Sequence, residues 1–188
     1  MRYVLAVLVA LIVSCSVARA DQQRDPALKD LLQKIIGSSD CFTDKYESEV
    51  WYKSMEPRLA RFVPTHEARV EILNHVYCEA KRDPNLQIPP DLVLALMEVE
   101  SRFDRWAVSP AGAVGLMQVM PFWPRELGVQ NQLVKVGPNI RMGCEILRYY
   151  LRMEHRNWAQ ALARYNGSVG HNKYPALVMQ RWERAWRF

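Results

Sequence analysis

Apolar residues recur in this chain at the spacing of helices and almost nowhere in the alternation of strands. Leu28, Leu31, Leu32, Ile35 and Ile36 follow the i, i+3, i+4, i+7, i+8 pattern, and Gly37 is a natural stop. The same period predicts a helix over Tyr46 to Phe62, broken or kinked at Pro57, and one from Pro64-Thr65 with Val70, Leu73, Tyr77 and Ala80 on one face. Further helices are predicted over Asp91 to Arg102, within "PFWPRELGV", over Asn139 to His155 and over Trp158 to Tyr165. The tail reads as helical, with Met179, Trp182 and Trp186 on one face, and Arg181, Arg184 and Arg187 as a solvated face, contact with an anionic surface being the lesser alternative. "DPNLQIPP" and "YNGSVGHNKYP" are rich in turn residues and read as loops. The chain has 188 residues, 49% of them hydrophobic, which suffices for one core. The expectation is a mostly α domain, with residues 21–85 as a helical N-terminal extension packed on residues 86–188.

The first twenty residues have a separate logic. Arg2 precedes the apolar run "YVLAVLVALIVSCSV", and Ala18-Arg19-Ala20 offers a small-x-small cleavage site before the polar Asp21. Residues 1–20 therefore read as an export signal, which places the rest in the periplasm. "IVSC" also resembles the bacterial lipobox, so lipidation at Cys15 and an outer-membrane lipoprotein form the alternative; only then is a membrane a partner. Removing Arg2 and Arg19 from the net charge of +5 leaves +3, a mild excess with no nucleic-acid-binding pattern. An oxidising compartment permits a disulfide. Cys144 shares a helical face with Ile140, Leu147 and Leu151 and reads as a buried free thiol. Cys78 lies on a polar stripe with Glu71, His75 and Arg82, which leaves Cys41 as its expected partner, against the alternative that no bridge forms.

The residues with chemical content begin at "MEVESRFDRWAVSPAGAVGLMQVMP", residues 97–121. On a helix, Glu98 and Glu100 stand about 200° apart and cannot share a face. Glu98 neighbours Leu94, Ala95, Ser101 and Arg102 and reads as structural, pairing with Arg102. Glu100 is set among Val93, Leu96, Met97 and Phe103. An apolar setting disfavours the charged carboxylate and raises its pKa, which makes a proton donor near neutral pH. Ala111, Gly112, Ala113 and Gly115 then let a chain approach closely, and Gln118 offers both a donor and an acceptor. Tyr165-Asn166 opens a second glycine-containing loop. An acid beside amide-bearing loops suits a substrate rich in hydroxyl and acetamido groups.

Taken together, "ES" at Glu100-Ser101, "AVSPAGAVGLMQVMP" at Ala107 to Pro121, "NIRMG" at Asn139 to Gly143 and "ARYNGSVG" at Ala163 to Gly170 resemble the soluble-lytic-transglycosylase family of peptidoglycan-cleaving enzymes. The blocks occur in the family's order and span about residues 86–175. The resemblance implies a lysozyme-like, mostly helical fold, with Glu100 as catalytic acid and base. It implies that Ser101 belongs to the site with it, that Gly115, Met117 and Gln118 line the sugar cleft, and that Tyr165 and Asn166 orient the reacting region. Two departures stand out. Lys135-Val136 replaces the familiar Asp-Pro, and Gly167-Ser168 follows the Tyr-Asn pair where Ala-Gly is usual.

Most glycosidases use two carboxylates, and no second partner is evident; Asp104 reads as a cap for the following segment. With one acid, the substrate's own C6 hydroxyl serves as nucleophile and the expected product is 1,6-anhydro-N-acetylmuramic acid. A lysozyme-like hydrolase and an inactive peptidoglycan-binding protein are the alternatives. His66, His75, His155 and His171 are scattered without ligand spacing, so neither metal nor cofactor is expected.

Overall fold

The computed structural model describes Pro26 and residues 45–127 and 130–188. The expected helix over Leu28 to Ile36, the export signal, Cys15 and Cys41 lie outside the described residues. Helix α1 (Lys45–Leu59) carries Pro57 in its last turn and ends two residues later, short of Phe62. It buries Trp51, Met55 and Leu59 at i, i+4 and i+8. Helix α2 (His66–Lys81) buries Ile72, Leu73, Val76, Tyr77 and Ala80, while Val70 is only half-buried. Both helices contribute to one continuous core with the rest of the chain, and no gap in that core marks residue 85.

Helix α3 (Pro90–Ser101) starts with proline at its first position, where the missing N–H has no partner to lose. Asp91 to Met97 are all buried, so α3 is surrounded on every side. It packs against α2 and against the tail: α7 (Lys173–Arg181) and the π-helical turn Trp182–Trp186 that follows it. Between them come α4 (Phe122–Glu126), α5 (Val136–Met153) and α6 (Trp158–Asn166). Helix α5 begins three residues before the expected Asn139, and Asn157 caps α6 by accepting from the Gln160 N–H at 3.1 Å. No strand forms among the described residues; Val108–Val114 and Val114–Val119 are isolated antiparallel bridges.

Buried charge ties α2 to α5. The Glu79 carboxylate, 2% exposed, accepts from Arg82 and from Arg141 at 3.0 Å. Arg148, fully buried, pairs with Glu145 and donates to the backbone oxygens of Leu86 at 3.0 Å and Glu79 at 2.6 Å. Each guanidinium thus has enough acceptors to offset its desolvation. Cys144 is a buried free thiol whose pKa burial drives far up, and Cys78 is disulfide-bonded. Trp186 is fully buried, in line with the core role its spacing predicts. No helix among the described residues is long and apolar enough to cross a membrane.

Candidate active site

The central helix stops abruptly just after Glu100. Arg102 closes α3 with φ +52°, its N–H bonding Glu98 O at 3.1 Å, and Phe103 follows with φ +64°. Two successive left-handed residues without glycine cost about 1–3 kcal/mol each. Burial of the Phe103 ring, worth about 1.5–3 kcal/mol, offsets part of that. The ring packs 5.2 Å from Phe62 and 5.4 Å from Trp186. The chain therefore reverses at the helix end and leaves Glu100 at the edge of the core. Its carboxyl is half-buried, and desolvation lifts its pKa from 4.5 to about 7, against the opposing effect of a hydrogen bond from Tyr174.

Tyr174 is a residue that the sequence reading missed. Its hydroxyl donates to Glu100 Oε1. "KYP" was expected in a loop, yet α7 begins at Lys173, and the loop between helices shrinks to residues 167–172. Pro175 occupies the third position of α7, inside the first turn that tolerates it. Burial, followed by the nearby charge of Glu100, holds the pKa values of Tyr174 and Tyr165 well above the ordinary tyrosine range, so both stay neutral donors.

The loop after α3 is held rigidly. Ser101 Oγ donates to Leu116 O at 2.8 Å and to Met97 O at 3.2 Å, clipping the loop to the end of the helix. Gln118, with φ +49° and only 8% exposed, turns its amide nitrogen back to Gly115 O at 3.0 Å and Ala107 O at 3.2 Å. Met117 is fully buried, and Tyr165 donates to its backbone oxygen at 2.7 Å. Two residues of the "NIRMG" block, to which no role was given, complete the clamp. Asn139 accepts from Met117 N at 2.8 Å and donates to Val114 O and Leu133 O, both at 2.9 Å. Gly143 leaves room for Met117, whose sulfur would stand 2.6 Å from any added Cβ. A Cβ at Gly115, which has φ +82°, would meet Leu133 O and the Asn139 amide at 2.4 Å.

Ser101, Gly115, Met117, Gln118 and Tyr165 are thus tied together through the loop after α3, and their bonds run to backbone. Asn166, the last residue of α6, is half-buried, and its side chain makes no hydrogen bond to the described residues. Gly167 caps α6 with φ +74°, so the altered Gly167-Ser168 pair still supplies the left-handed residue that ends the helix. At the other departure, Lys135 holds the N-cap position of α5 without a side-chain cap bond.

The pairing of Glu98 with Arg102 is not formed. Glu98 instead accepts from Trp186 Nε1 at 2.7 Å and lies 3.6 Å from Arg181. The π turn carries Trp186 back onto α3, and Arg102 points away over the Phe62 ring at 5.9 Å. Asp104 accepts from Trp106 N at 2.9 Å, the capping role expected of it. Among the described residues no group of three or more His, Cys, Asp or Glu side chains is placed to hold a metal ion.

A central apolar helix that ends close to an acid poised near neutrality and hydrogen-bonded by a neutral tyrosine offers what general-acid chemistry requires. The chain belongs to the Transglycosylase SLT domain family, whose profile matches residues 78–181. It is 62% identical over 34 residues to membrane-bound lytic murein transglycosylase C of Actinobacillus pleuropneumoniae serotype 5b, covering 18% of this chain and 9% of that protein. It is 29% identical over 150 residues to membrane-bound lytic murein transglycosylase F of Vibrio cholerae, covering 77% of this chain and 25% of that protein. An inactive mutant of lytic transglycosylase Slt from Pseudomonas aeruginosa superposes with a TM-score of 0.46 at 20% identity, covering 75% of this chain and 27% of that one. The chain thus spans between 9% and 27% of the length of these relatives.

Proposed function

We propose that this protein cleaves the β-1,4 bond between N-acetylmuramic acid and N-acetylglucosamine in peptidoglycan without water, leaving 1,6-anhydro-N-acetylmuramic acid. The observation that carries the reading is Glu100: a single carboxyl with a pKa near 7 whose two neighbouring acids are otherwise engaged, Glu98 with Trp186 and Asp104 with Trp106. As an acid, Glu100 protonates the glycosidic oxygen and the bond to C1 breaks, while the sugar's acetamido oxygen stabilises the cationic C1. The resulting carboxylate takes the proton of the C6 hydroxyl, and O6 closes on C1. The proton count balances and Glu100 ends as it began. Closure within one ring benefits from high effective molarity.

Tyr174 donates to the carboxylate form and stabilises it, which eases release of the Glu100 proton to the leaving oxygen. Ser101, Gln118, Tyr165 and the Gly115–Met117 backbone act by fixing the loop's shape, and Asn166 is the amide free to meet the sugar. Export by residues 1–20 into the envelope accords with the membrane-bound relatives, with Cys41 as the disulfide partner of Cys78. Digestion of purified peptidoglycan in heavy-oxygen water, read by mass spectrometry, tests the proposal. Unlabelled products lacking a reducing end are expected. Labelled, reducing products would instead establish a hydrolase, with Glu100 still the acid, and no release at all would leave a binding protein.

A further inference from the structure

The end of α1 and the π-helical turn border an open hollow of about 580 Å³ lined by Pro57, Arg58, Arg61, Glu183, Arg184 and Arg187. Four guanidiniums face one carboxylate. The walls are held in place rather than loosely solvated. Arg58 Nη1 donates to Ala185 O at 3.3 Å and Arg187 O at 3.1 Å, lacing the tail to α1, and the Phe188 ring packs edge-on against Trp51 at 5.9 Å. Arg61 stacks over Phe62 at 5.6 Å with its Nε bonded to Arg58 O, and Arg187 stacks over Trp182 at 5.6 Å. These contacts leave donors unused. Arg61 keeps both terminal nitrogens, Arg187 gives one nitrogen to Glu183 at 2.8 Å, and Arg184 makes no hydrogen bond or ion pair with the described residues.

We propose that this cavity is a binding site for a phosphate group. A carboxylate has two oxygens and is satisfied by one guanidinium fork. Three partly free forks around one hollow match an anion that presents three or four oxygens, and planar guanidiniums suit phosphate geometry better than ammonium groups. The phosphate belongs either to a small soluble anion or to a lipid headgroup. None of the lining residues belongs to α3, and the π-helical turn meets that helix at Glu98 and not at Glu100, so occupancy does not block Glu100.

The full chain is titrated with inorganic phosphate by calorimetry at constant ionic strength, with chloride as the balancing anion. One saturable site is expected. Arg184→Ala and Arg61→Ala should each weaken it by about tenfold, the scale of one charge-assisted hydrogen bond, with cleavage activity and the circular-dichroism spectrum unchanged. Arg184→Lys, which keeps the charge and loses the fork, should fall between. Sedimentation with phosphatidylglycerol vesicles, against pure phosphatidylcholine, separates the sources: binding lost in the alanine variants assigns a lipid headgroup, and no vesicle binding assigns a soluble phosphate. The proposal is overturned if phosphate does not saturate at matched ionic strength, if the alanine variants bind like the native protein, or if vesicles bind where inorganic phosphate does not.

Discussion

Replacing Glu100 by glutamine should remove cleavage and, above neutrality, make the protein more stable. The unfolded chain holds this carboxyl near 4.5, and the folded chain near 7. Below pH 4.5 both states are protonated and the carboxyl imposes no penalty. As pH rises from 4.5 through 7 the unfolded chain ionises first, so the native protein loses stability across that window and the loss is complete above it. At 1.36 kcal/mol for each tenfold change in proton affinity, the difference amounts to about 3 kcal/mol. Glutamine does not ionise, keeps the shape, and still accepts from Tyr174. Thermal melts of the native and Glu100→Gln proteins at pH 4 and pH 8 read the effect. The two should melt together at pH 4, and the variant should melt on the order of 10 °C higher at pH 8, taking 2–4 °C per kcal/mol for a chain of this size. A melting difference that does not change between the two pH values would show that burial does not penalise the charged carboxylate, and the argument for a poised acid would fail with it.

Other outcomes follow from the same geometry. Tyr174→Phe removes a donor to the Glu100 carboxylate, so the basic limb of the pH–rate profile should move upward from about 7 while turnover falls; an unmoved limb would refute the hydrogen bond's role. Glu98→Gln still accepts from Trp186 and should retain cleavage, at a stability cost of about 1 kcal/mol or less; loss of activity in the folded variant would mean the wrong carboxylate has been assigned. Asn139→Ala strands Met117 N and the oxygens of Val114 and Leu133 and should destabilise by about 2–4 kcal/mol, measured by urea unfolding. Lys135→Asp supplies the missing N-cap of α5 and should stabilise it by about 1 kcal/mol, visible as a higher urea midpoint.

The helices could be read from the sequence because each buries a stripe at its own period: Trp51, Met55 and Leu59 in α1, or Leu73, Tyr77 and Ala80 in α2. Glu100 could be read for the same reason, since its neighbours at i−4 and i−3, Leu96 and Met97, are fully buried and mark the apolar stripe on which it sits. What could not be read depends on distant contacts or on a local backbone turn that no periodicity reports. Trp186 reaches Glu98 only because the tail packs along α3, and local spacing pointed instead to Arg102 four residues on. Gln118 has the donors of a sugar-binding amide, but a positive φ turns them into its own loop, and no periodicity reports a side chain's direction. Tyr174 was hidden by Pro175. A proline two residues after an asparagine and a lysine reads as a turn, yet at the third position of a helix it costs no hydrogen bond. That placement lets α7 begin at Lys173 and leaves Tyr174 in its first turn, facing the end of α3. A tyrosine in a mobile loop would give Glu100 a transient donor; one in the first turn of a helix packed on α3 gives it a fixed one. The proline that obscured the helix therefore marks where it starts, and the residue just before that proline is the one that holds the Glu100 carboxylate.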